Sequence, residues 1–304
     1  MLNIVKKEEP SKKRELATRL LAVVAALGAT AIIMAFLGLN PFEVYAKMIE
    51  GATGTAYRFQ ETINKTIPLV ILSLGIAVAF KMKFWNIGAE GQFYMGAFGA
   101  AWVAFSFPEA PALLLIPMML LAGFLCGGLW AMIPALLKAK WHTSETLVTL
   151  MMNYIATTWI TYLQYGPWKD PKGGGFPRMP YFSDNAVLPE VFGIHIGWIL
   201  ALLLVGVVYV MFKQSKLGYE IAVVGESDTT ARYAGMSPTK VMLIAILISG
   251  GLCGIAGTVQ ASGIEHSLTN QLSGGLGFTA IITTWLSKLS APAIVIVSLL
   301  FAIL

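Results

Sequence analysis

The chain has 304 residues, of which 57% are hydrophobic and only 12% charged, with a formal net charge of +5. An ordinary soluble domain carries roughly 45–50% apolar and about 25% charged residues, so this composition excludes a water-soluble globular module and points to lipid as the solvent. The apolar residues come in long blocks, and a block of about 18 or more with few charges is long enough to cross a bilayer as a helix.

The N-terminal Lys6, Lys7, Lys12, Lys13, Arg14 and Arg19 interleave with Glu8, Glu9 and Glu15 and with no aromatic residue. That pattern reads as a cytoplasmic retention signal and not as a nucleic-acid surface. The run at 20–37 is longer than a signal-peptide core, with no convincing cleavage site before Asn40-Pro41, so a retained first helix is expected. Apolar segments follow at about 17–38, 62–80, 93–107, 112–137, 145–165, 194–212, 241–262, 276–287 and 291–304. The expected fold is an all-α integral membrane protein of about eight or nine transmembrane or partly spanning helices, with at least one broken or re-entrant segment. A basic tail at 1–16 precedes a single membrane domain at 17–304. Threaded alternately with the N-terminus inside, fifteen Lys and Arg residues fall on the cytoplasmic side and six outside, a strong positive-inside signal.

The stretch Asn86-Ile87-Gly88-Ala89-Glu90-Gly91-Gln92 interrupts the apolar run between Lys83 and Phe93. Glycines flanking an acid break a helix, and broken backbone at membrane depth is tolerated only where it faces protein or a wet cavity. Transporters use such half-helix ends to hold polar solutes. A plain cytoplasmic turn with Glu90 solvated is the other reading, and the residues alone leave both open.

In the run at 145–165, Thr149, Asn153 and Thr157 form a polar stripe on one helix face, with Trp159 and Tyr162 as an aromatic wall. The stripe reads either as a solute-facing surface or as interhelical hydrogen bonding by Asn153. The external loop 166–193 is punctuated by Pro and Gly and reads as turns. The cytoplasmic loop 213–240 mixes charge with Ala and has room for a short helix. Gly123 and Gly127, and Gly250, Gly254 and Gly257, stand at the small-residue spacings that let helix backbones approach in lipid. The last run is short of the roughly 20 residues needed to cross, so either the chain is cut or this segment does not span.

Cys126 and Cys253 sit in apolar runs, and His142, His195 and His266 lack ligand spacing, so no metal site is expected. No Gly-x-x-x-x-Gly-Lys-Ser/Thr phosphate loop occurs, so any ATP hydrolysis belongs to another chain.

Asn86-Ile-Gly-Ala-Glu-Gly-Gln92 resembles the signature of the permeases serving ABC importers of nucleosides, ribose-type sugars and branched-chain amino acids, closest to the nucleoside and simple-sugar branch. Three further stretches resemble that family in order and rough spacing: Thr149–Ala156, then Leu217–Glu220 with Ala231–Gly235, and Gly275–Ile281. The resemblance implies a transport subunit without enzymatic activity or cofactor of its own, in a bacterial cytoplasmic membrane. Its implied partners are ABC ATPase subunits that bind the ATP, a second permease subunit and an extracytoplasmic solute-binding protein. It implies a substrate path lined by Asn86, Glu90, Gln92, Phe93 and Asn153. It also assigns ATPase coupling to the loop 213–240, with Glu226, Ala231, Arg232 and Gly235, although Thr229 stands where importer permeases carry a coupling Glu. The alternative class is an ion-coupled secondary transporter or channel for a small polar solute, which paired intramembrane charges would favour.

Overall fold

The computed structural model describes residues 12–171 and 174–304, so most of the expected tail 1–16 lies outside the described residues. Helix α1 (Lys12–Phe36) ends before Asn40, whose side chain accepts from the Phe42 N–H and caps α2 (Pro41–Thr53), with Pro41 in the first turn where its missing N–H is harmless. The two helices meet at 117°. Then follow α3 (Ala56–Lys81), α4 (Ala89–Ser106), α5 (Ala112–Trp141) and α6 (Glu145–Tyr165). After the segment 166–196 come α7 (Gly197–Gln214), α8 (Lys216–Glu226), α9 (Asp228–Tyr233), α10 (Pro238–Gln260), α11 (Leu276–Leu286) and α12 (Ala291–Ile303). Among the described residues, four helices are long and apolar enough to cross a membrane unaided: α3, α5, α7 and α10, the last extended to Glu265 by a π-helical turn.

Helices α3 and α10 are apolar almost all round and form the buried centre, against which α4, α5, α7, α11 and α12 pack. The closest approach is between α10, α5 and α4. A methyl group added at Gly96 would collide with the backbone of Gly254, one added at Gly123 with the Thr258 hydroxyl, and one added at Gly250 would meet Ala131 and the Gly127 carbonyl. The small-residue spacings of the sequence are therefore the seams of the bundle.

The loop 213–240 forms two helices, where a single short one was expected. Two serines explain the split. Ser215 accepts from the Gly218 N–H at 3.0 Å and Ser227 from the Thr230 N–H at 3.2 Å, each capping a new start. The segment 166–196 adds a 3₁₀ turn at Asp184–Ala186 and a small hairpin, β1 (Glu190–Val191) against β2 (Ile194–His195). Phe192 and Gly193 both have positive φ, 60° and 72°, as a two-residue hairpin turn of right-handed twist requires.

Two breaks interrupt the bundle. One is the turn from Met82 to Gly88 between α3 and α4. The other is the non-helical segment after His266, which descends beside α4 until α11 begins. Its depth is fixed by contacts: the Tyr94 hydroxyl donates to the Asn270 carbonyl at 2.8 Å and accepts from the Ser273 N–H at 3.3 Å. Helix α11 then ends with Trp285 against Phe80 and Trp85, ring centroids 5.4 and 5.5 Å away.

Two outcomes follow from this packing. Gly254→Val should overpack the α4–α5–α10 seam and cost about 1–3 kcal/mol, read as a lower melting temperature of the protein in detergent. His195 is fully buried in the hairpin, its ring nitrogens without hydrogen-bond partners. Burial lowers its pKa from 6.5 to about 4, opposed by the neighbouring Asn64 backbone and helped by nearby His266. Between those values the unfolded chain binds a proton that the folded chain refuses, so stability falls as the pH drops through that window. The melting temperature should be lower at about pH 5 than at about pH 7.5, and His195→Asn should flatten that difference.

Candidate functional site

Helix α3 ends with Lys83 at φ 57°, where glycine is usual, while the Lys83 and Phe84 N–H groups bond back to the carbonyls of Phe80 and Ala79. The chain then turns through Trp85–Gly88, with Asn86 and Gly88 buried and Trp85 exposed, and its buried polar groups are met by side chains. Asn86 and Gln92 exchange two hydrogen bonds, at 3.0 and 2.8 Å. Asn86 also accepts from the Gly88 N–H at 3.1 Å and donates to Ser249 of α10 at 3.2 Å.

Asn153, from the middle of α6, closes the turn from outside. It donates to the Ile87 carbonyl at 2.9 Å and accepts from the Gly91 N–H at 2.8 Å. The fit is tight, since a Cβ at Gly88 would lie 3.0 Å from that of Thr149 and one at Gly91 would lie 3.0 Å from the Cα of Asn153. Glu90, in the first turn of α4, accepts from the Gly277 N–H at 2.8 Å. One carboxylate thus serves the N-termini of α4 and α11, where helix dipoles favour negative charge. Phe93 is fully buried, its ring edge-on to Tyr94 at 5.8 Å and its carbonyl against Gly257.

The five residues expected along the path therefore form one cluster, from 0 to 8% exposed. In this conformation their polar atoms face each other and the backbone of the breaks, not an open cavity. The reason is the break itself: three amides supply partners that helical backbone would have supplied. Of the α6 stripe, Thr149 and Thr157 bond back to carbonyls of their own helix, and only Asn153 reaches across.

The stripe continues further than sequence reasoning took it. Thr161 stands four residues beyond Thr157, and Gln164 bridges the Asn270 N–H at 2.9 Å and the Pro177 carbonyl at 2.7 Å. Their spacing was visible in the sequence; their partners were not. On the opposite face of α6, Tyr154, Thr158, Trp159 and Tyr162 are exposed and line a shallow concavity. Trp159 leans on Tyr162 at 5.7 Å and meets Phe98 edge-on at 6.1 Å.

Of the residues assigned to coupling, Ala231 is buried, while Glu226, Arg232 and Gly235 lie at the surface. Helix α9 ends in a tight reversal, with the Met236 N–H bonded to the Ala231 carbonyl at 2.9 Å and the Gly235 N–H to that of Arg232 at 3.0 Å. Gly235 has φ 77°, a conformation that L side chains rarely adopt, so its role begins with the turn itself. Beside it Tyr233 is 96% exposed, a feature that only the structure reveals.

The protein family described as the permease component of branched-chain amino acid transport systems matches residues 59–304. The chain belongs to this family. The permease is 33% identical to a glucose ABC transporter permease protein of Haloferax volcanii, over 94% of this chain and 78% of that one. It is 32% identical to a guanosine ABC transporter permease protein of Bacillus subtilis, over 92% and 82% of the two chains. A nucleoside ABC transporter permease protein of Lactococcus lactis is 30% identical, over 97% and 84%. No solved structure matches the permease.

Removing one partner from a buried polar pair costs about 1–3 kcal/mol. Asn153→Ala and Asn86→Ala should each lower the melting temperature of the permease. Glu90→Gln, which keeps an acceptor for the Gly277 N–H, should do less damage than Glu90→Ala.

Proposed function

We propose that this permease conducts nucleosides or related simple sugars across the cytoplasmic membrane as part of an ATP-driven importer. The observation that carries this reading is its similarity, along nearly the whole chain, to permeases named for guanosine, nucleosides and glucose. In the complex, ABC ATPase subunits bind and hydrolyse the ATP, and a second permease subunit completes the path. A solute-binding protein delivers the cargo from outside. The N-terminus lies in the cytoplasm, in keeping with the charge split.

The outward face of α6 forms one wall of the path. Its aromatic rings offer the stacking planes that a base or sugar ring needs, and the hydroxyls of Tyr154, Thr158 and Tyr162 offer hydrogen bonds. The cluster of Asn86, Glu90, Gln92, Phe93 and Asn153 borders the path from behind this wall. Helices α8 and α9 dock on the ATPase, with exposed Tyr233 as an apolar anchor and Gly235 as the turn that aims it. Ion-coupled transport, the alternative, lacks support: among the described residues Glu90 is the one buried carboxylate, and its partners are uncharged, the Ser273 hydroxyl and backbone N–H groups at the start of α11.

The deciding measurement is uptake of radiolabelled guanosine and glucose into liposomes holding the permease with its ATPase and partner subunits. Uptake of one of them is expected only with ATP, and accumulation by the permease alone would overturn the reading. Tyr233→Ala and Gly235→Trp should abolish uptake with membrane insertion intact, whereas Gly235→Asn, which tolerates a positive φ, should retain more of it. A cysteine at 228 should resist an impermeant thiol reagent added outside intact cells.

A further inference from the structure

We infer that the turn from Met82 to Gly88 is a rigid link between the cytoplasmic helix α8 and the path-facing helix α6, so that a displacement of one is handed to the other. The inference rests on the preceding reading only for what moves α8. The link itself stands on contacts.

At the cytoplasmic end, α8 lies directly on the start of the turn. Gly225 is buried, and a Cβ there would come within 2.5 Å of the Lys81 carbonyl and 3.1 Å of the Met82 Cα. Ile221 and Val224 of the same helix are buried as well. The nearby Lys83–Glu226 ion pair, at 3.2 Å, is not the carrier. Its side chains are 61% and 82% exposed, and such surface pairs contribute little.

At the other end α6 holds the turn directly through Asn153 and indirectly through Lys138 of α5. Asn153 holds the Ile87 carbonyl and the Gly91 N–H. Glu145, in the first turn of α6, pairs with Lys138 at 2.6 Å, and the Lys138 ammonium lies 4.9 Å from the centroid of the buried Phe84 ring.

Between the two grips the turn has little freedom. The Asn86–Gln92 exchange ties it to α4, Asn86 ties it to α10, and its own backbone is bonded from Asn86 to Phe84 and from Ile87 to Trp85. Lys83 holds a left-handed conformation that persists only where the surroundings over-determine it. Helix α6, by contrast, packs chiefly on α4 and to a lesser degree on α5. Its grip on the turn and on the start of α4 is therefore a large share of what holds it. Gly225 and Asn153 are the positioning residues of this link, and their coupling must be reciprocal.

Amide hydrogen exchange on the purified full chain in detergent tests it. Gly225→Ala should speed exchange in the first half of α6 and at Gly91 by roughly fivefold or more, the scale of a lost buried hydrogen bond. Asn153→Ala should in turn speed exchange in α8. Helix α7, which joins α8 through the chain, should be unchanged in both variants, and Glu226→Ala should leave α6 unchanged. If Gly225→Ala does not yield folded protein, Val224→Ala probes the same contact by loosening it. Changes confined to the mutated helix and its immediate neighbour, in either direction, would overturn the link. Capture of the ATPase by the wild-type permease is scored separately. A reciprocal exchange response without such capture would keep the link and remove the proposed partner.

Discussion

Backbone that leaves a helix inside a membrane bundle loses its intrahelical hydrogen bonds where water cannot replace them. The arrangement around residues 82–92 answers that single requirement. Asn86 mimics a turn of helix for Gly88, Gln92 locks Asn86, and Asn153 reaches in from α6 for the two groups that remain. Satisfying the break therefore draws α10 and α6 onto the same few residues. Glu90 adds α11 through Gly277.

Close backbone packing complements this polar knot. Lipid gives helices no hydrophobic incentive to associate, so contact area and buried hydrogen bonds must hold the bundle. The glycines of α4, α5 and α10 let three helices touch along one seam, and α3 fills the remaining side of the centre with a surface that is apolar from Ile67 to Phe80 except for Ser73, which bonds to Thr283 of α11. The second break then becomes possible. The segment from His266 to Gly275 is held by Tyr94, Gln164 and Phe182 at points supplied by the rigid centre.

The two faces of α6 divide its work. One face is fixed by the Asn153 grip, and the other exposes Tyr154, Trp159 and Tyr162. A helix anchored at a few polar points and lightly packed elsewhere can change position without dismantling the core, which is what alternating exposure of a solute path demands. Charged surface pairs such as Lys47–Glu43 and Lys216–Glu220 contribute little to this architecture. The Lys138–Glu145 pair matters more because it is half-buried and shares Phe84.

The sequence alone determined the lipid solvent, the helical class, a break near Asn86 and the small-residue seams, because these depend on composition and on spacing along one chain. The break itself runs from Met82 to Gly88, since Ala89–Gln92 already form the first turn of α4. The motif order carried the family as well. Only the tertiary structure decided where the polar groups of the motif point. Asn86, Gln92 and Asn153 were chosen for a solute, yet in this conformation they bond to one another and to the backbone, since the partners of a buried amide come from whichever helix packs against it. The second break at 266–275 was invisible as a membrane segment because its partners, Tyr94 and Gln164, are distant in sequence. The same holds for Gly225 on Lys81 and for the exposure of Tyr233. Local pattern fixes what an element is, while the neighbours that packing brings to it fix what its side chains do.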